Sequence, residues 1–330
     1  MGKTARFDLR LQQISPEAVF KIARIDELKG QWISGAKLHP QALDRLKRSV
    51  LITSSGASAR IEGAKLSDED IEKIMRGIKV NKFADRDKQE AIGYYELLEN
   101  IFNLWRSIKF SENSIKHFHK EMLKYIDKDS AYLTSKEMQE IVEWTQRAFE
   151  EKIYHPFLII GNFIVEFLKI HPFQDGNGRI SRILTNLLLL KCGYLYVEYV
   201  SHEKLIEDNK PEYYLSLRKS QQTFGSKREN IAPWLDFFLN ILLKQSESAT
   251  DLLSKEDVEK ILSEKQLLVW NFLESAIGDV SPAEIAKKTK IARPTVNQVL
   301  YKLLSLKRIE KIGMGRSTRY RKIVRDLAEK

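Results

Sequence analysis

The apolar residues of this chain recur at helical spacing in one segment after another, and that periodicity commits it to a mainly α fold. PQALDRLKRSVLITSSGASARIEG (40–63) carries the pattern and stops at Gly63. SDEDIEKIMRGI opens on Ser67 with an acid three residues on at Asp70, the arrangement of a capped helix start. DKQEAIGYYELLENIFNLW, SENSIKHFHKEMLKYI, SKEMQEIVEWTQRAFEEK and HPFLIIGNFIVEFLKIHPF are amphipathic at the same spacing. GNGRISRILTNLLLLKCG follows, closed by Gly193, and EYYLSLRKSQQTFG and IAPWLDFFLNILLKQSES complete a first domain. QSESATDLLSKED (245–257) is polar and loses the periodicity at its start, which predicts a domain boundary near residue 250.

At ~150 residues per domain, 330 residues suggest two or three domains. Hydrophobic content of 43% and charged content of 30% exclude a disordered chain. No apolar run approaches the ~20 residues of a membrane span, and MGKTARFDLRLQQ lacks the apolar core of a signal peptide. Cys192, the one cysteine, excludes an internal disulfide framework and reads as a small packed residue. These features predict a cytoplasmic protein without a membrane partner. Charge is unevenly placed. Residues 281–330 hold fourteen Lys and Arg against four Asp and Glu, so the whole formal excess of +10 falls there and the other 280 residues balance. Such asymmetry points to an anionic partner for that end.

HPFQDGNGRISR (171–182) concentrates the chemistry. The first N–H groups of a helix lack internal acceptors, and the dipole there is positive. Gly176 and Gly178 let the backbone approach a ligand, so Gly176-Asn177-Gly178 reads as a nest of N–H groups for phosphate. Arg179 and Arg182, three apart, share a helix face, and the guanidinium fork suits phosphate oxygens. Two cations at a helix start oppose its dipole, a conflict that a bound anion resolves. Asp175 is a hard oxygen ligand suited to Mg²⁺ shared with phosphates, and His171 accepts a proton near neutral pH. Base, metal ligand, anion cradle and charge clamp together point to phosphoryl or nucleotidyl transfer. HPFLIIGN (155–162) repeats His-Pro-Phe without any of these groups, so His155 reads as a helix-start residue. His39, His117, His119 and His202 have no metal-like spacing and read as surface or core.

The stretch resembles the Fic family motif, H-x-F-x-[DE]-G-N-G-R-x-x-R, at every fixed position: His171, Phe173, Asp175, Gly176, Asn177, Gly178, Arg179 and Arg182. The resemblance extends over roughly residues 30–245. It implies transfer of AMP from ATP to a Tyr, Ser or Thr hydroxyl of a target protein or of the protein itself. His171 would deprotonate that hydroxyl and Asp175 would hold Mg²⁺; the Asn177 region would bind the α- and β-phosphates, and Arg182 the γ-phosphate. Tyr213, Tyr214 and Gln221 lie where relatives contact the nucleoside, with core packing the other reading of the tyrosines.

SARIEG (58–63) resembles the inhibitory signature [ST]-x-x-x-E-[GN] of the same family, with Ser58 and Glu62 on one helix face and Gly63 after them. The implied contact is Glu62 on Arg182, in the place of the γ-phosphate, leaving ATP bound with its α-phosphate misaligned. One departure is visible. Only YIDKDSA separates the flanking helices where relatives carry a longer β-hairpin flap that positions the target, so the flap is either absent or omitted from the chain as given.

Near the C-terminus, KQLLVWNFLESAIG, SPAEIAKKTKI and ARPTVNQVLYKLLSLK read as three helices and RIEKIGMGRSTRYRKI as a hairpin, a succession that resembles a winged-helix domain. Arg293, Thr295, Asn297 and Gln298 would face base edges, and Arg316, Arg319 and Arg321 would meet phosphates. A surface for protein contact or dimerisation is the other reading.

The resulting organisation is an N-terminal helical region (1–100) carrying the inhibitory helix (about 40–63), a Fic helical core (101–245) and a C-terminal winged helix-turn-helix domain (246–330). The leading function is autoinhibited protein adenylylation using Mg-ATP. The alternatives are another transfer or de-AMPylation by the same site, and a nucleotide-sensing DNA-binding regulator. A homo-oligomer is left open.

Overall fold

A computed structural model of the chain describes residues 5–12, 14–36, 40–77, 85–126, 136–226, 228–261, 264–276, 278–305, 308–313 and 318–323. They form two compact units, Met1–Leu253 and Ser254–Lys330. The first unit holds α1 (Ala5–Leu9), α2 (Pro16–Ala36), α3 (Pro40–Ile61), α4 (Asp68–Met75), α5 (Asp85–Leu104), α6 (Glu112–Met122), α7 (Lys136–Glu151), α8 (Pro156–Ile170), α9 (Asn177–Lys191), a 3₁₀ turn (Leu195–Glu198), α10 (His202–Asp208) and α11 (Lys210–Gln221). α12 (Ala232–Ile261) begins in this unit.

α8 and α9 form its centre. Both are apolar around most of their circumference, so both demand burial on every side. Every residue of α8 from Phe157 to Phe167 is buried, as are Ile180 to Leu190 of α9. α7, α9 and α11 pack on α8, while α5 and α6 pack on α9. Gly161 lets α12 close onto α8: a Cβ there would meet the Leu235 side chain at 2.5 Å. The Trp234 indole N–H donates to the Gly161 carbonyl at 2.8 Å. α3 lies against α5 and α10 and carries its C-terminal end to the start of α9. α4 begins with the reciprocal Ser67–Asp70 capping pair that its sequence foreshadows.

The polar stretch 245–257 contains the division between the two units, at Leu253 and Ser254, without interrupting the helix. It continues α12, because Gln245, Ser246 and Ala249 turn inward and the Gln245 amide donates to the Val200 carbonyl at 2.7 Å. Periodicity fails there because the inward residues are polar ones satisfied by tertiary partners.

His202 heads α10 and is buried. Burial pushes its imidazole down to about 4. The unfolded chain takes up that proton near pH 6.5. The folded state therefore loses stability as pH falls from about 6.5 to about 4, by up to ~3 kcal/mol, and is unaffected above that window. Urea denaturation of the protein and of His202→Gln across this range should give a shallower acid decline in the variant. Parallel declines would contradict the assignment.

In the second unit, α13 (Glu264–Ser275), α14 (Pro282–Thr289) and α15 (Arg293–Ser305) enclose a separate core of Val269, Trp270, Ile285, Val296, Leu300 and Leu303. β1 (Ile309–Ile312) and β2 (Arg319–Lys322) pair antiparallel, Ile309 opposite Lys322 and Ile312 opposite Arg319. Ile309 and Tyr320 point into the helical core.

Candidate functional site

The loop between α8 and α9 holds the motif. His171 caps the C-terminus of α8 and adopts the left-handed conformation with φ 54° and ψ 58°. A non-glycine residue held there costs of order 1–3 kcal/mol and persists only where its surroundings fix it. Gly176 caps α9 at φ 81°, where an added Cβ would meet the Met122 methyl at 2.6 Å. Asn177 is the staple of the turn. Its amide N–H donates to the Phe173 carbonyl at 2.7 Å and its oxygen accepts the Phe173 N–H at 3.0 Å. That side chain, 1% exposed, is therefore committed to shaping the loop, which leaves the backbone of the turn for any anion.

The two arginines diverge. Arg179 pairs with Glu90 of α5 and, at 3.2 Å, with Asp175. Arg86 also pairs with Asp175. Burial pushes the Asp175 carboxyl up, but Arg179, the Gly176 N–H and Arg86 outweigh it and hold the group below its usual range. Arg182 turns toward α3. Its Nε and Nη2 donate to the Ser58 hydroxyl at 3.1 and 3.0 Å, and Nη2 also reaches the Ser58 carbonyl at 3.2 Å and the Glu62 carboxylate at 2.9 Å. The guanidinium is 2% exposed and its Nη1 has no hydrogen-bond partner. Burial works against that charge, yet Glu62 and the hydroxyls of Tyr213 and Tyr94 raise its proton affinity overall.

Glu62 reaches Arg182 because α3 stops where it does. The Ala64 N–H donates to Ala59 and the Gly63 N–H to Arg60, each at 3.1 Å, with Gly63 at φ 102°. This closure makes Glu62 the last residue before the reversal. A carboxylate at a helix C-terminus opposes its own helix dipole, but here it lies at the N-terminus of α9, where the dipole favours it. A Cβ on Gly178 would lie 2.4 Å from the Glu62 carboxylate and 3.3 Å from Arg182 Nη1. Gly178 is thus the close approach that admits an anion to the helix start.

A cleft of about 500 Å³ opens beside these groups, lined by Glu62, His171, Gly178, Tyr213, Tyr214 and Gln221, together with Leu168, Lys169, Leu217, Arg218 and Gln222. Tyr213 is buried, its phenol pushed up to about 12 by that burial, while Tyr214 is exposed and donates to the Ile61 carbonyl at 3.3 Å. The Gln221 amide donates to the Val165 carbonyl at 3.2 Å. Asp175, Asn177 and Arg179 do not line this cleft.

No group of three or more His, Cys, Asp and Glu able to hold a metal occurs among the described residues. A nucleotide-borne Mg²⁺ needs less, usually one or two carboxylates beside phosphates and waters. Asp175, 44% exposed at the helix start, fits that need once Arg86 and Arg179 yield.

Sequence reasoning missed Arg86, Glu90 and His119. Each reaches the motif from a helix distant in sequence, and no spacing within the chain marks them. His119 Nε2 lies 2.9 Å from the Asp175 carbonyl, and its ring stacks on Phe173.

In the second unit, Arg293, Asn297 and Gln298 are exposed along α15, and Thr295 is half-buried. Arg321 pairs with Asp279 at 2.5 Å and Arg319 with Glu284 at 3.6 Å, so these hairpin arginines already have acidic partners. Arg316 lies outside the described residues, as do residues 127–135 where a flap would begin.

A helix start shaped to take an anion, with a histidine before it, defines the class of site. Residues 72–189 match the Fic/DOC family profile, so this segment of the chain carries a Fic domain. It is 30% identical over 168 residues to a probable protein adenylyltransferase of Aquifex aeolicus, covering 45% of this chain and 51% of that one. It is 36% identical over 74 residues to a Fido domain-containing protein of Dictyostelium discoideum, covering 22% and 48%. The chain thus spans about half the length of these curated relatives. A Fic family protein from Desulfovibrio desulfuricans G20 shares the fold, with a TM-score of 0.62 at 21% identity over 95% of this chain and 98% of that one.

Proposed function

We propose that the protein transfers AMP from ATP to a hydroxyl side chain of a target protein or of itself, and that Glu62 holds this activity low. The observation that carries the reading is the Glu62 carboxylate on buried Arg182, against Gly178, with one guanidinium nitrogen left unbonded. A buried cation with spare donors at a helix N-terminus is suited to a phosphate, and the carboxylate occupies that place. The adenylyltransferase names of the relatives agree with the reading.

Arg182 would hold the γ-phosphate, and the N–H groups opening α9 would hold the α- and β-phosphates. The target oxygen attacks the α-phosphorus and its proton passes to His171. The bond from that phosphorus to the β-bridging oxygen breaks, and pyrophosphate leaves. Mg²⁺, held by Asp175, would neutralise phosphate charge. With Glu62 in place, ATP would seat with the α-phosphate out of line. Incubating the protein and Glu62→Gly with ATP labelled in the α-phosphate tests this: label on protein, stronger in the variant, is expected, and no label with either would overturn it.

One observation favours a second property. Lys287, Lys288, Lys290 and Arg293 are exposed around the α14–α15 turn without acidic partners among the described residues, beside Asn297 and Gln298. The second unit, read as a winged helix, would use them on duplex DNA. Filter binding should weaken steeply with salt, roughly one unit of log-log slope per phosphate contact. Salt-insensitive or absent binding would leave protein contact as the reading of this surface.

A further inference from the structure

The motif loop is held from outside as well as from within. Asn177 fixes Phe173 at both backbone groups, but the segment between Phe173 and Gly176 has a second support from α6. The His119 ring lies parallel to the Phe173 ring, centroids 3.8 Å apart and planes 1° apart. His119 Nε2 lies 2.9 Å from the Asp175 carbonyl oxygen. A carbonyl only accepts, so this nitrogen must carry the proton and donate. One turn further along α6, the Met122 methyl closes on Gly176.

The Asp175–Gly176 peptide is the pivot of the site. Its carbonyl takes the His119 bond, and its N–H donates to Asp175 Oδ1 at 2.6 Å. Rotating this plane swings the Asp175 carboxylate and redirects the first N–H groups of α9. It also shifts the chain that leads back through Phe173 to His171.

We propose that His119 is a positioning residue: its bond to the Asp175 carbonyl and its stack on Phe173 set the peptide plane from which the α9 N-terminus and His171 take their places. The inference rests on the transfer reading for its kinetic consequence and on geometry alone for its structural one. His119 touches no reacting atom. Its effect passes through the loop, where a misplacement of ~1 Å costs ~100-fold in rate.

The test uses the full chain carrying Glu62→Gly, so that transfer is measurable, with three further variants. His119→Phe keeps an aromatic ring for the stack and loses the donor. His119→Met fills the space without donor or ring, and His119→Gln restores a donor. His119→Phe and His119→Met should lower kcat by about 10–100-fold, the cost of misplacing the groups around the α-phosphate, with a smaller change in ATP Kd. His119→Gln should recover most of the rate. In parallel, hydrogen exchange of the amides at 173–180 should accelerate in the donor-free variants and not in His119→Gln. Unchanged kcat and unchanged exchange in both donor-free variants would overturn the proposal. If the Glu62→Gly parent itself transfers no AMP, the transfer reading fails. Exchange at 173–180 then decides the structural role of His119, and unchanged protection sinks it.

Discussion

Replacing His171 by alanine in a Glu62→Gly background should lower AMP transfer by about 10²–10⁴-fold while leaving ATP binding intact, the loss expected when a general base is removed. The residue stands at the end of α8 in a left-handed conformation and lines the same cleft as Gly178 and Glu62. The backbone there is fixed by neighbours: the His171 N–H bonds to Phe167 at 3.0 Å, and Asn177 holds the loop two residues on. Alanine adopts the same strained conformation at similar cost, so folding should be preserved. Transfer, followed with labelled ATP, is the readout, and ATP binding measured separately shows that the pocket survives. Transfer within about threefold of the parent would remove the histidine from the mechanism.

Glu62→Gly should raise transfer by about 10–100-fold, because on the proposed reading Arg182 would be free to seat the γ-phosphate and the α-phosphate would return to the line of attack. The same substitution has a cost without ATP. Arg182 is buried and Glu62 is its acidic partner, so the empty variant carries a poorly compensated charge. Glu62 is partly exposed, which keeps that penalty to about 1–2 kcal/mol. ATP should therefore raise Tm more in the variant than in the parent, since the phosphate replaces the missing carboxylate. An equal rate, together with an equal ATP-induced rise, would show that the carboxylate does not compete with phosphate.

What could be read from the sequence was local. The helix start at 176–182 announces itself by residue type, because glycines, a cation pair and a preceding acid all act within one turn. The Ser58–Glu62–Gly63 spacing is equally local: one helix face, then a glycine that reverses the chain. Tertiary choices were not legible. Arg179 and Arg182 share a spacing that suggests one partner, yet α5 draws one to Glu90 and α3 draws the other to Ser58 and Glu62. Asn177 has the chemistry of a phosphate ligand but closes the loop onto Phe173. His119 looked like any histidine on an amphipathic helix, because its partner carbonyl lies 56 residues away. The helix through 245–257 was hidden because its inward residues are polar.

The most direct test is a crystal structure of the Glu62→Gly protein soaked with Mg-ATP. The expected result is a triphosphate at the α9 N-terminus, its γ-phosphate on Arg182 and its α-phosphate in front of His171. A cleft that stays empty at saturating nucleotide, or an imidazole turned away from the phosphates, would contradict the account.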